Sequence, residues 1–505
     1  MEWQHGYNTD SGYTFGYYAE TMPLRLHWAA LMQGQNTPIE RFRYLDAGCG
    51  QGFNLILAAA AHPDSEFVGI DFMPSHIAHA RALAGQCGLG NVKFIEADFV
   101  ELGADSQLAQ SLGDFDYVVC HGISAWISPS VKQSLFSYVG RALKPGALFY
   151  NSYNSLPGWI NVIPFQHLVA LEEQLGRDPD PVRRAQSIMD CVLRNSPFGQ
   201  HFPTLNERLS SIMELDPVYL AQEFNNLHWT PMFVSQMIKD MATVKLDYLG
   251  TATLSEIFLD VLPAEISSLI EQEADQRLKI QIKDYALFKS FRRDIYIKGI
   301  SKVWRESLKN MILDCRFISD PTLDRPSREK GYTFKSGLVE VAGNYNLCSA
   351  VMEKMSRQNG LSLREFQSVE KEATFSSLTK TISLMVQSGW VMPFMKGAHS
   401  SVVNLGICDA VSVGAPYQCL SAPRIGSAIR LRELDMLFAA ARLRGVPAEK
   451  WPVFVTERLE ALGGALIKAG QRVSDPQMHI DLIVKETQNF KSLIPWLITI
   501  GALPA

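Results

Sequence analysis

The sequence predicts an α/β fold on a largely parallel sheet, with mainly helical segments added behind it. Three observations predict this. Apolar runs of strand length alternate with helical segments over the first 155 residues, a glycine-rich loop joins the first strand to its helix, and successive strands end in an acidic residue. Alternating strands and helices favour parallel pairing, and the ligands of such sheets sit beyond the carboxyl ends of the strands.

The first strand and its loop read Tyr44-Leu45-Asp46-Ala47-Gly48-Cys49-Gly50-Gln51-Gly52, and residues 53–61 follow as a helix. Glycine lacks a Cβ, so a ligand can come close to peptide N–H groups there. A dinucleotide loop would have its third glycine where Phe53 stands. An acid followed by Gly-x-Gly-x-Gly instead suits S-adenosylmethionine (AdoMet). That molecule has no pyrophosphate, and its amino-acid end calls for backbone donors and a carboxylate. An ordinary strand-to-helix turn is the competing reading, and the next segments decide.

Glu66-Phe67-Val68-Gly69-Ile70-Asp71 is a second strand ending in an acid, where nucleotide-binding folds hold a ribose diol. Val92-Lys93-Phe94-Ile95-Glu96-Ala97-Asp98 is a third, with Phe99 beside it. The fourth is Phe115-Asp116-Tyr117-Val118-Val119-Cys120-His121, and the fifth, Ala147-Leu148-Phe149-Tyr150-Asn151-Ser152-Tyr153, follows the turn Lys144-Pro145-Gly146. Helices are expected near 75–87 and 131–143. One acid alone is an ordinary solvated strand end, but three in series behind a glycine loop favour a cofactor site. The expected roles are backbone access for Gly48, Gly50 and Gly52, the methionine amino group for Asp46, the ribose for Asp71, and adenine for Asp98 and Phe99. Asp71→Ala is expected to weaken AdoMet binding and leave the fold intact.

These residues resemble those of class I AdoMet-dependent methyltransferases, whose sheet is Rossmann-like. Gly12-Tyr13-Thr14-Phe15-Gly16-Tyr17-Tyr18-Ala19-Glu20, His121-Gly122-Ile123-Ser124-Ala125-Trp126-Ile127-Ser128 and Ser152-Tyr153-Asn154-Ser155-Leu156-Pro157-Gly158-Trp159 look like a bacterial subfamily with a methyltransferase regulatory domain. That subfamily includes protein-lysine methyltransferases acting on outer-membrane proteins. Tyr219-Leu220-Ala221-Gln222-Glu223-Phe224, Arg292-Arg293-Asp294-Ile295-Tyr296-Ile297-Lys298-Gly299 and the run 423–503 extend the similarity over most of the chain. Gln222 departs from it, at a position where the family favours His. The resemblance implies AdoMet as cofactor, a protein lysine as acceptor, and a homodimer.

Composition agrees with a large globular enzyme. A chain of 505 residues, 47% hydrophobic and 20% charged, has room for two to four domains. A net charge of −5 argues against broad attraction to nucleic acid. The eight cysteines form no C-x-x-C pair and read as free thiols of a reducing compartment. His76 and His79 share a helix face without further nearby ligands, so no metal site is expected. No signal peptide is apparent, the apolar run 493–505 is too short to span a membrane, and the expected location is cytoplasmic.

The expected sixth and seventh strands are 244–250 and 291–297, with a helix over 229–242 before them. The AdoMet-binding core is then 1–155 with 229–300, and 156–228 is a helical insertion or regulatory lid. Helices at 181–195 and 217–225 each open with an Asp-Pro pair, an N-cap followed by a first-turn proline. An independent domain over 166–315 is the alternative. Residues 301–397 read as a connector and a winged-helix-like module, with helices 361–369 and 375–388 and a wing at 390–394. Residues 330–396 hold eight Lys/Arg against five Asp/Glu. Only Lys380 lies on the second helix, too little charge for phosphate neutralisation, so protein docking or dimerisation is favoured over DNA binding. Residues 398–505 form a C-terminal helical domain, with helices at 431–444, 451–469 and 479–500.

Methyl transfer is an in-line displacement at a sulfonium methyl, and proximity and orientation supply much of its rate. No catalytic triad is needed. The ends of the fourth and fifth strands nominate His121, Trp126, Tyr153, Asn154 and Trp159. His121 would orient or deprotonate the nucleophile, or satisfy local backbone groups. Trp126 and Trp159 would wall a lysine channel, or pack a lid. Tyr153 and Asn154 would bond the amine, or shape the Pro157-Gly158 turn. Tyr13, Phe15, Tyr17 and Tyr18 would close over AdoMet, or staple the amino-terminal segment to the core. Three functions stay open: a protein methyltransferase, a non-catalytic AdoMet- or partner-binding scaffold, and a small-molecule methyltransferase.

Overall fold

The computed structural model describes residues 15–176, 178–201, 205, 209, 220, 223–224, 226–301, 303–336, 339–356, 360–395, 397, 400–468, 471–473 and 475–505. The helix expected over 217–225 lies mostly outside the described residues, and Tyr13 and Gln222 lie wholly outside them.

Seven strands form one mixed sheet: β1 (Arg43–Ala47), β2 (Glu66–Asp71), β3 (Val92–Glu96), β4 (Phe115–Cys120), β5 (Leu143–Asn154), β6 (Asp247–Thr251) and β7 (Phe291–Ile297). Their order is β3-β2-β1-β4-β5-β7-β6. β1 with β2, β2 with β3, and β4 with β5 are parallel, while β7 runs antiparallel to β5 and β6. This is the α/β, Rossmann-like class that the alternation of elements predicts. Tyr117, Val118, Val119 and Cys120 of β4 are wholly buried, as in a strand covered on both faces.

Two boundaries differ from the sequence reading for local reasons. The helix expected from residue 229 begins only at Val234. Pro231 disfavours a helical conformation before it. The preceding segment instead stays extended, with Thr230 N donating to Ala125 O at 2.8 Å and Met232 bridging to Ser155. The helix expected to reach 469 ends at Ala461, where Gly463 turns the chain at φ +66°.

The chain divides into two compact units. One comprises Phe15–Glu96, Ser301–Phe334 and Val341–Ala505. It holds β1–β3 and three helices, α1 (Pro23–Met32), α2 (Phe53–Ala61) and α3 (Pro74–Gln86). Every residue of α2 is buried. A helix apolar all round needs cover on more than its sheet side. The hairpin Cys419–Ala422 and Ser427–Arg430 supplies it: Ser421 Oγ donates to Leu57 O at 3.3 Å, and His62 Nε2 lies 3.2 Å from Gly426 O. A small three-stranded sheet with two helices lies in the same unit. Strands Leu361–Ser362 and Val391–Pro393 flank Arg316–Ser319, and helices Leu363–Val369 and Phe375–Gln387 complete it. Trp28 of α1 anchors this module through its ring on Phe317 (4.9 Å) and its indole N–H on Ser383 Oγ (3.1 Å).

The other unit includes Ala97–Ile300 and carries β4–β7. Helices Ile163–Leu175 and Pro181–Asn195 pack around Phe165, Val169, Val182, Ala185 and Phe224. The second opens as its Asp-Pro pair predicts, with the Asp180 side chain accepting from Arg183 N at 3.0 Å. Under β5 and β7 lies a buried ionic network. Arg292 bonds both Asp284 and Asp294, and Lys289 pairs with Glu256. Removing one member of such a network would strand an uncompensated charge, so it fixes how β7 seats beside β5.

Candidate active site

The residues expected to hold the cofactor gather first at the carboxyl ends of β1 and β2. Gly48, Gly50 and Gly52 all have positive φ (85°, 52° and 76°), a region open to glycine. Their loop is tied inward. Gly48 N and Cys49 N donate to Ile70 O at 2.8 and 3.0 Å, Gly50 N to Asp71 Oδ2 at 2.9 Å, and Gly52 N to Cys49 O at 3.0 Å. Gly52 contributes clearance as well: a Cβ there would stand 2.5 Å from Ala80 Cβ.

Asp71 does more than the sequence shows. Its carboxylate also accepts from Met73 N at 2.9 Å and meets His76 Nδ1 at 3.3 Å. It staples the glycine loop to the start of α3. The expectation that Asp71→Ala leaves the fold untouched therefore needs correction, because that change strands two buried N–H groups. Asp46 is 4% exposed, and burial first, then the nearby Asp71 charge, push its carboxyl up to about 7. Burial first, then Asp71 and Asp46, hold the Cys49 thiol well above its ordinary value, so it stays protonated. Asp98 caps the helix Phe99–Gly103, its side chain accepting from Val100 N at 2.8 Å, and Phe99 is half-buried at the first helical position. His76 and His79 serve different partners, Asp71 and Gln51 O, and no metal-holding group occurs among the described residues.

The residues expected on the acceptor side are sorted by the two-residue period of β5. Tyr150, Ser152 and Asn154 share one face, and Asn151 and Tyr153 the other. His121, just past β4, has Nδ1 3.0 Å from Tyr150 Oη and 3.1 Å from Ser152 Oγ. Ser152 Oγ also accepts from Gly122 N at 2.9 Å. The ring stacks on Tyr150 and meets Phe291 edge-on at 6.0 Å. These contacts fix the imidazole with Nδ1 held. Asn154 Nδ2 donates to Glu223 Oε1 at 3.0 Å, both residues buried. Trp126 is half-buried in the turn after His121.

Tyr153 and Trp159 are placed differently from the acceptor roles expected of them. Tyr153 is wholly buried and its hydroxyl donates to Asp294 Oδ2 at 2.7 Å, on the ionic face of β5. Burial, then Asp294, hold that phenol well above its ordinary value. It serves the core, because it stands one residue out of step with Ser152 and Asn154. Trp159 donates from Nε1 to Ser290 O at 2.7 Å and packs edge-on against Trp229 at 5.3 Å. Glu223, Tyr150 and Ser152 were missed by sequence reasoning. The alternation Tyr150-x-Ser152-x-Asn154 is the signal that marks the last two.

Residues 40–229 match the family described as "Methyltransferase domain", and residues 216–298 the family described as "Predicted methyltransferase regulatory domain". An uncharacterized protein of Synechocystis is 28% identical over 99% of this chain and 100% of its own length. An uncharacterized protein of Rickettsia prowazekii is 24% identical over 62% of this chain and 56% of its own. Among solved structures, PKMT2 from Rickettsia typhi superposes with a TM-score of 0.71 at 17% identity, covering 97% of this chain and 99% of PKMT2. PKMT2 has also been solved in complex with AdoHcy, with the same TM-score of 0.71 at 18% identity. No described helix is long and apolar enough to cross a membrane. The seven-stranded sheet and the matched segments support AdoMet-dependent methyl transfer by a chain that carries a methyltransferase domain followed by a methyltransferase regulatory domain.

Proposed function

We propose that the chain transfers the AdoMet methyl group to a lysine side-chain amine of a protein. The observation that carries this reading is the likeness to PKMT2 over nearly the full length of both chains, regulatory region included. AdoMet supplies an electrophilic methyl on a sulfonium leaving group. Asp46 holds its amino group, Asp71 its ribose, and Asp98 with Phe99 its adenine. His121, fixed by Tyr150 and Ser152, takes or directs the proton that the ammonium must lose before its nitrogen attacks. The N–C bond forms as the S–C bond breaks, and AdoHcy leaves. The buried Asn154–Glu223 pair draws the cationic side chain, and Trp126 offers it an aromatic face.

The acceptor is tested by incubating the full chain with isotope-labelled AdoMet and a bacterial protein extract, then mapping the label by mass spectrometry. Label on lysine side chains is expected, and label confined to small molecules would overturn the reading. His121→Ala should lower kcat by about 10²–10⁴-fold, the range of general acid–base assistance, with AdoMet affinity unchanged.

Asp46 gives a pH prediction. Its ordinary value is 3.8 and its folded value about 7, so the folded protein keeps a proton that the unfolded chain has lost. Across that window the apoprotein loses stability as pH rises. A cationic amino group beside Asp46 favours the carboxylate. AdoMet should thus bind more tightly as pH rises through the folded value, releasing a proton. Calorimetry near pH 6.5 in buffers of different ionisation enthalpy should detect the release (about half a proton or more), and Asp46→Asn should remove it.

A further inference from the structure

We infer that Tyr417 and His79 are positioning residues for the glycine loop, through which the region carrying the C-terminal hairpin sets AdoMet affinity. The inference rests on the AdoMet-binding role of that loop. His79 Nδ1 lies 2.8 Å from Gln51 O, in the middle of the loop, and Nε2 lies 2.6 Å from Tyr417 Oη. A carbonyl only accepts, so Nδ1 carries the proton, and in the neutral ring Nε2 then accepts from the Tyr417 hydroxyl. The two bonds fix one neutral tautomer and run in one direction, from hydroxyl through imidazole to loop carbonyl. Burial, then Cys87, push the Tyr417 phenol up to about 12, which keeps it a donor.

The rings around this chain hold it in place. Tyr417 stacks on Phe53, the first residue of α2, with centroids 4.6 Å apart and planes 13° apart. Phe15 packs edge-on against Tyr417 at 5.4 Å and tilted against His79 at 5.1 Å. The segment bearing Phe15 is itself tied down. Tyr18 N donates to Asn54 Oδ1 at 3.0 Å, and Tyr17 Oη donates to Ala428 O at 3.1 Å beside Ser427 Oγ. All these residues belong to one compact unit. The loop's other tethers come from β2, through Ile70 O and Asp71, so Tyr417 adds a tether 338 residues away from His79 in sequence. Neither residue need touch the cofactor for the loop to depend on it.

The test uses the full chain and four proteins: wild type, Tyr417→Phe, His79→Ala and the double variant. Each is titrated calorimetrically with AdoMet and melted without it. Tyr417→Phe keeps the stacked ring and removes only the hydroxyl, so its melting temperature should stay near wild type while AdoMet affinity falls about three- to tenfold, the span of one hydrogen bond. His79→Ala should lose at least as much, and the double variant no more than His79→Ala, because the residues act in series. In turnover assays KM for AdoMet should rise while kcat at saturation holds. Variants that bind within twofold of wild type, or a loss confined to melting temperature, would overturn the inference. If His79→Ala does not fold, Tyr417→Phe alone decides it. A wild-type protein that does not bind AdoMet would overturn the loop's cofactor role together with the inference.

Discussion

Asp71→Asn is expected to weaken AdoMet binding about thirty- to a hundredfold in a protein that still folds, a loss of about 2–3 kcal/mol. A carboxylate accepting from both ribose hydroxyls makes two charge-assisted bonds, each worth more than a neutral one. The structure selects Asn over Ala. Asp71 accepts from Gly50 N on Oδ2 and from Met73 N on Oδ1, and an amide keeps one of those acceptors. One stranded buried donor should cost about 1–3 kcal/mol of stability, visible as a lower melting temperature. Calorimetric titration and thermal melts on the same samples separate the two effects. A lowered melting temperature with unchanged affinity would reduce Asp71 to a staple between the glycine loop and α3.

Gly52→Ala should lower stability by about 2–5 kcal/mol, the sum of left-handed backbone strain and overpacking, and abolish measurable AdoMet binding. Gly52 sits at φ +76°, and an added Cβ would meet Ala80 Cβ at 2.5 Å and Phe94 at 2.8 Å. Ala80 Cβ has no side-chain torsion by which to move away, and the Phe94 ring edge is buried. Phe94 lies in β3 and Ala80 in α3, so relief must move an element of the cofactor side. Gly146→Ala is the matched control. Its φ is +82° with nothing within 4 Å of the added Cβ, so it carries strain without collision and should cost about 1–2 kcal/mol with binding intact. Equal effects of the two substitutions would mean that backbone strain alone explains Gly52.

The sheet was legible because its signals are local. Short apolar runs bounded by turns placed β1–β5, and the seventh strand was expected over the residues that form β7. The glycine loop and its acids were legible for the same reason. What the sequence hid was pairing between distant segments. The apolar run Phe53–Ala61 says that α2 is covered all round, but nothing in it names the hairpin near residue 420 as the cover. Register hid the acceptor face. Once β5 is paired with β7, Asn154 sits opposite Phe291 while Tyr153 sits opposite Arg292, and one residue of offset sends Tyr153 into the ionic network. The helix expected from 229 starts only at Val234 because Pro231 keeps the residues before it out of helical conformation.

Calorimetric titration of the 505-residue chain with AdoMet, at a pH above the raised value of Asp46, tests the central claim most directly. The account predicts saturable binding at one site per chain and competition by AdoHcy. A well-folded protein that takes up neither would contradict it.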